Sequence, residues 1–264
     1  MKSLLKPDEK EQLLALWTRE KGLSGNALKM IACVLMFFDH MSQGVALNSL
    51  GFTPAYAVNS WGIPVLSGLP TASLLATIAT LAGRIAFPIF CFFLVHGILL
   101  SGDYKKQIQR LLVFALIAEL PFDLGLFGQA FYWDHQNVLF ELALGAVTIV
   151  GMKKILDGDK KGKRSYAAWL FIAAAILAEI LKFDYGSVGI IAMVLLYLAC
   201  NDRRRTMFMG LFAFFFEAPL YGTVYLSLPL IYQYNGKRGR GGRRFFYIFY
   251  PAHLLALYFI SLII

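Results

Sequence analysis

Nine apolar runs follow one another along this chain, at roughly residues 27–47, 84–100, 110–128, 136–152, 166–182, 186–200, 207–222, 223–234 and 245–264, with short charged clusters between them. A helix crosses the hydrocarbon core of a bilayer with about 20 apolar residues, so runs of this number and length leave little chain for a separate soluble domain. Apolar residue types make up 58% of the 264 residues, and the mean hydropathy is +0.62. The pattern predicts an all-α polytopic membrane protein of about nine transmembrane helices, forming a single domain over residues 1–264. Several runs fall short of a full span, so some helices are expected to end in irregular backbone.

The charges orient the chain. Lys and Arg gather in the N-terminal segment through Lys29 and in "DYKKQIQR", "KKILDGDKKGKR", "NDRRR" and "NGKRGRGGRR", which leaves only Arg84 and Lys182 outside these clusters. Nine spans starting inside put every cluster on the cytoplasmic face, so the basic residues read as topology signals rather than as a nucleic-acid surface. The N-terminus is therefore expected in the cytoplasm. Residues 1–22 alternate charges around "LLALW" with no cleavage site after them, which predicts an amphipathic surface helix and not a signal peptide. "LPTASLLATIATLAG" would reverse every later loop if it spanned, so residues near 69–83 are expected to form a re-entrant or interfacial helix on the outer side. Cys33, Cys91 and Cys200 all lie in apolar runs, as free thiols without disulfide or metal spacing.

An ionisable side chain inside a bilayer costs on the order of 3 kcal/mol or more, and by default faces the protein interior and serves a site. In "ALKMIACVLMFFDH", Lys29, Cys33, Met36 and His40 recur at spacings of 4, 3 and 4, forming one helical stripe. His40 then lies about 16 Å along the axis from Lys29, an arrangement that suits a long phosphorylated cofactor, head group at the rim and reactive end at the imidazole. An ordinary snorkelling lysine is the competing account of Lys29. Asp39 can fix the tautomer of His40, although neighbours on a helix point about 100° apart. His253, in "FYPAHLLALYF", lies at a depth similar to His40 and is grouped with the cofactor end; the competing account is a core histidine bonded to a carbonyl that Pro251 frees. Arg84, Glu119, Asp123, Asn137, Glu141 and Glu217 all fall toward the outer half and are read as an acceptor pocket.

The blocks "ALKMIACVLMFFDH", "GRIAFPIFCFFLVHG", "RLLVFALIAELPFD", "NVLFELALG", "YNGKRG" and "FYIFYPAHLLAL" resemble, in order and over nearly the whole chain, the TraX family, membrane proteins named for the enzyme that N-acetylates conjugative pilin. The resemblance implies an acyltransferase using acetyl-CoA as donor. The first helix is also similar to that of integral-membrane acyltransferases that modify sugars, in which a basic residue, usually arginine, precedes an intramembrane histidine. By that likeness His40 is catalytic and Lys29 a cofactor contact. Lysine offers the phosphates a point charge instead of a two-pronged grip.

The expected chemistry follows. Lys29, Lys237, Arg238 and Arg240 hold the CoA phosphates from the cytoplasm, and His40 serves as general base, or as a nucleophile that takes the acetyl group first. The expected partners are the lipid bilayer of a bacterial plasma membrane and an acceptor peptide, glycan or small molecule, with no nucleic acid and no metal. Two other classes compete: a proton-coupled transporter or channel, which also uses intramembrane carboxylates and histidines, and a non-catalytic scaffold, which leaves those charges unexplained.

Overall fold

The computed structural model describes residues 3–52, 57–58, 64–65, 70–215 and 222–264, and the apolar runs within them are helical. In chain order the helices are α1 (Pro7–Trp17), α2 (Gly25–Gln43), α3 (Val45–Asn48), α4 (Thr71–Gly83), α5 (Ala86–Leu100), α6 (Tyr104–Phe122), α7 (Val138–Asp157), α8 (Lys163–Ile180), α9 (Gly186–Ala199), α10 (Arg203–Ala213), α11 (Ser227–Tyr232) and α12 (Arg243–Ser261). A π turn, Asp123–Phe127, continues α6, and a 3-10 turn, Thr223–Leu226, leads into α11. Two short strands, β1 (Ala57–Val58) and β2 (Pro64–Val65), pair antiparallel.

Two runs among the described residues are long and apolar enough to cross a membrane: Gly25–Asn48, which joins α2 and α3, and Thr71–Leu100, which joins α4 and α5. The second departs from the sequence expectation. Residues 71–83 do form a helix, α4, but it runs through a two-residue turn at Arg84 and Ile85 into α5, and Arg84 keeps helical angles (φ −59°, ψ −18°). Gly83, the last residue of α4, is a packing residue. A Cβ there would collide with the Asp39 side chain on α2, so the glycine lets α4 close on that helix.

The outward faces of several helices are apolar. On α8, Trp169, Ile172, Ile176 and Ile180 follow helical spacing, and Trp169 and Ile180 are each 67% exposed. On α6, Leu112, Val113, Leu116, Ile117 and Leu120 form a second exposed stripe. Continuous apolar faces of this kind mark contact with lipid or with another protein.

The described residues group into two compact units, one within Met1–Glu20, Cys91–Leu116 and Trp133–Ala213, the other within Lys21–Phe90, Ile117–Tyr132 and Phe214–Ile264. In the first, α1 is held by its last residue. Trp17 is 1% exposed, receives the Arg203 guanidinium over its ring at 4.7 Å and donates from Nε1 to the Cys200 carbonyl. Arg203 in turn donates to the Trp17 carbonyl at 2.9 Å. The N-terminal helix is held along its length as well, since Lys153 Nζ donates to Glu9 at 3.2 Å and Lys10 Nζ to the Ser101 carbonyl at 3.1 Å. Asn137 starts α7 in the same unit: its Oδ1 accepts from Leu139 N–H at 3.0 Å, and its Nδ2 donates to the Ala115 carbonyl at 2.9 Å. Asn137→Ala removes both bonds at a fully buried position, so the expected cost is about 1–2 kcal/mol. A lowered thermal unfolding midpoint of the purified protein reads this out.

In the second unit α2 packs on α4, and α12 packs on α2, α3 and the π turn.

Candidate functional site

Two helices begin at one basic loop. Residues 233–241 run beside the start of α2. Leu23 N–H donates to the Gln233 carbonyl (2.8 Å), Asn235 N–H to the Leu23 carbonyl (3.0 Å), Gly25 N–H to the Lys237 carbonyl (2.9 Å) and Asn26 N–H to the Arg238 carbonyl (2.8 Å). A helix start leaves its first N–H groups without partners; here loop carbonyls supply them, together with the Ser24 hydroxyl, which accepts from Ala27 N–H. Asn26 Nδ2 holds the far side of the loop through the Arg240 carbonyl at 2.9 Å. Gly239 makes this possible. Its φ of +79° suits glycine, and a Cβ would lie 2.6 Å from Ser24 Cβ. The helix α12 starts two residues after Gly241, so α2 and α12 leave the loop side by side.

The cations gather at this shared start. Lys237, Arg238 and Arg240 are exposed, and Lys29, one turn into α2, holds its ammonium 5.6 Å from the centre of the Phe246 ring on α12. The helix start has its N–H groups occupied by backbone, so an anion here would meet side-chain cations and not the helix terminus.

Further along the same two helices stand two histidines. His40 Nδ1 and His253 Nε2 are 2.8 Å apart, and their ring planes differ by only 10° with centroids 5.0 Å apart. Centroids this far apart with nitrogens this close place the rings edge to edge, joined by an in-plane hydrogen bond. His253 Nδ1 lies 2.8 Å from the Phe249 carbonyl, one helical turn back. The carbonyl freed by the missing N–H of Pro251 is that of Tyr247, so the bond His253 makes is to a different group. The Phe249 ring covers His253 at 4.7 Å, and Tyr250 meets His40 edge-on at 6.1 Å. His253 is buried, whereas His40 is half-buried. This geometry leaves His40 the more accessible member of the pair.

The backbone around the π turn brings the two rings together. Gly125 lies against α12, where a Cβ would be 2.8 Å from the Leu254 carbonyl oxygen, and a Cβ on Gly44 would meet the Gly125 carbonyl at 2.7 Å. Two glycines therefore let the turn wedge between the end of α2 and the residue after His253. π turns inside helices recur at functional sites.

The expected site residues fall into three groups. Lys29, His40, Lys237, Arg238, Arg240 and His253 share α2, α12 and the loop between them; His253 meets the His40 ring and lies about 10 Å along α12 from Phe246, away from the cofactor end assigned to it. Arg84, Glu119 and Asp123 belong to the same unit. Asp123, buried at the start of the π turn, accepts from Tyr132 N–H at 2.9 Å. Asp39, expected to orient His40, instead accepts from Gln43 Nε2 and packs against Gly83. Asn137 and Glu141 belong to the other unit, where Asn137 caps α7 and Glu141 accepts from Tyr185 N–H at 2.9 Å. Glu217 lies outside the described residues. Sequence reasoning missed the pairing of His40 with His253 and the part of Gly125; the equal depth of the two histidines was the available signal.

A helical membrane-type chain with a histidine pair below a basic loop defines the class. The family model described as TraX protein matches residues 24–261, and the chain belongs to that family. It is similar to the "Probable fimbrial assembly protein FimC, serogroup H1" of Dichelobacter nodosus, 27% identical over 266 residues that cover 91% of this chain and 96% of the relative. No solved structure matches.

Proposed function

We propose that this protein is a membrane-embedded acetyltransferase that moves an acetyl group from cytoplasmic acetyl-CoA to an acceptor amine or hydroxyl reached from the outer face. One observation carries the reading: α2 and α12 start at a single cationic loop and carry a bonded histidine pair, with His40 about 16 Å along α2 from Lys29. A polyanionic donor with a long thioester arm matches both ends. Lys29, Lys237, Arg238 and Arg240 hold the phosphates, and the arm runs between the helices to His40. His40 Nε2 takes the proton of the acceptor as its nitrogen or oxygen attacks the thioester carbonyl. The C–S bond then breaks, and the CoA thiolate recovers the proton from His40. In the two-step version His40 Nε2 attacks first and CoA leaves before the acceptor arrives.

Membership of a family named for pilin N-acetylation supports the reaction, and the fimbrial assembly relative favours a pilin-type peptide acceptor. The proposed setting is a bacterial plasma membrane with the N-terminus inside. Counting Thr71–Leu100 as one crossing keeps every basic cluster on the cytoplasmic face. Arg84, Glu119 and Asp123 face the acceptor side.

The test is release of CoA from acetyl-CoA by the purified, reconstituted protein, with acceptor supplied as pilin-type peptide or as sugar. No release and no thermal shift with acetyl-CoA would sink the proposal in favour of a proton-coupled carrier. The cationic end has its own expected result. Replacing Lys237, Arg238 and Arg240 together by alanine raises KM for acetyl-CoA by about tenfold or more with kcat retained, and the wild-type KM itself rises with ionic strength. Steady-state kinetics at two salt concentrations checks both.

A further inference from the structure

His253 touches no part of the route just described, yet it is buried, bonded on both ring nitrogens and placed against the proposed base. A carbonyl oxygen only accepts, so the nitrogen facing the Phe249 carbonyl, His253 Nδ1, carries a proton. In the neutral ring the other nitrogen, Nε2, is then an acceptor. The group facing it at 2.8 Å is His40 Nδ1, which must therefore be the donor. One proton remains to be placed on a neutral His40, and this bond takes it. His40 Nε2 is left with its lone pair.

From this chain of bonds we infer that His253 is a positioning residue that fixes the tautomer of His40, so that Nε2 is the reactive nitrogen. The inference rests on the acetyltransferase reading for its catalytic consequence but not for the proton assignment itself. The part is one that a carboxylate plays in hydrolytic triads, where the partner of the second ring nitrogen decides which nitrogen reacts. Here the acceptor is a neutral imidazole, itself fixed by backbone. Because the Phe249 carbonyl belongs to the same helix one turn back, the assignment depends on α12 alone and holds whether or not a substrate is bound. When Nε2 takes the acceptor's proton, the His40 cation keeps its bond from Nδ1 to His253, and a charged donor strengthens it. No second proton has to move. The same nitrogen serves the two-step version, in which the acetyl group forms its bond to Nε2.

The bond also separates the roles of the two neighbours that sequence offers His40. Asp39 lies next to it in the chain but bonds elsewhere; His253, which is 213 positions away, supplies the acceptor.

The chain has four histidines, His40, His96, His135 and His253, so nitrogen NMR of the full-length protein labelled with 15N-histidine resolves them one by one. His40→Gln assigns the His40 signals. The expected wild-type pattern is a protonated Nδ1 and a bare Nε2 at His40, with Nδ1 also protonated at His253. His253→Phe keeps a ring but no acceptor; the expected result is a shift of His40 toward the other tautomer. Its kcat for CoA release falls by about 10- to 100-fold while KM for acetyl-CoA stays within about twofold. His253→Gln, whose amide oxygen can accept, restores both the tautomer and much of kcat. A wild-type His40 protonated on Nε2, or a tautomer that His253→Phe leaves untouched, overturns the inference. If the tautomers are as stated and no form of the protein releases CoA, the proton assignment stands and the acetyltransferase reading falls.

Discussion

His40→Ala lowers acetyl-CoA-dependent release of CoA by about 10²- to 10⁴-fold, the range that a positioned general base contributes. The loss falls on kcat. Acetyl-CoA still binds, because Lys29, Lys237, Arg238 and Arg240 lie at the other end of the same helix, and the thermal shift on adding acetyl-CoA persists in the variant. Asp39→Asn, by comparison, keeps most of the turnover: the Asp39 carboxylate bonds Gln43 while the ring of His40 bonds His253. Turnover that survives His40→Ala and dies with Asp39→Asn would reverse the assignment of the base.

Gly125→Ala gives the second large effect, a drop in kcat of about 10²-fold, without any change to a group that touches substrate. The added Cβ would lie 2.8 Å from the Leu254 carbonyl oxygen and 3.3 Å from its carbon, both backbone atoms that cannot swing aside. The π turn must move away from α12, and the histidine bond lengthens with it. Displacement of reacting groups by about 1 Å costs this much. Gly242→Ala is the matched control, since no atom of the described residues lies within 4 Å of a Cβ there. Equal kinetics for the two variants would show that the wedge has no part in holding the pair.

The helical character of the chain was legible because apolar runs of this length leave few other folds. The stripe from Lys29 to His40 was legible for the same reason: spacing on a helix is arithmetic. What sequence could not reveal is what depends on contact between helices. Gly83 carries no pattern of its own in the sequence, and only the approach of Asp39 makes it a packing residue. Asn137 and Glu141 look like pocket residues because they are polar inside apolar sequence; they answer the backbone needs of Leu139, Ala115 and Tyr185. His253 was found at the right depth, but the partner of a side chain is fixed by neighbouring helices in space, and its distance along the chain carries no trace of that. In sequence the basic loop is a run of cations, yet its carbonyls hold the start of α2, and no side-chain pattern records them.

Those carbonyls tie the beginning of the first long helix to residues more than 200 positions later in the chain. During synthesis α2 emerges with Gly25 and Asn26 lacking the acceptors they later find at Lys237 and Arg238. A ribosome must add more than 200 further residues before those acceptors exist, and His253 follows only after them. The histidine pair can therefore close only once α12 has been made, so a chain that stops short of it carries the base without the partner that orients it.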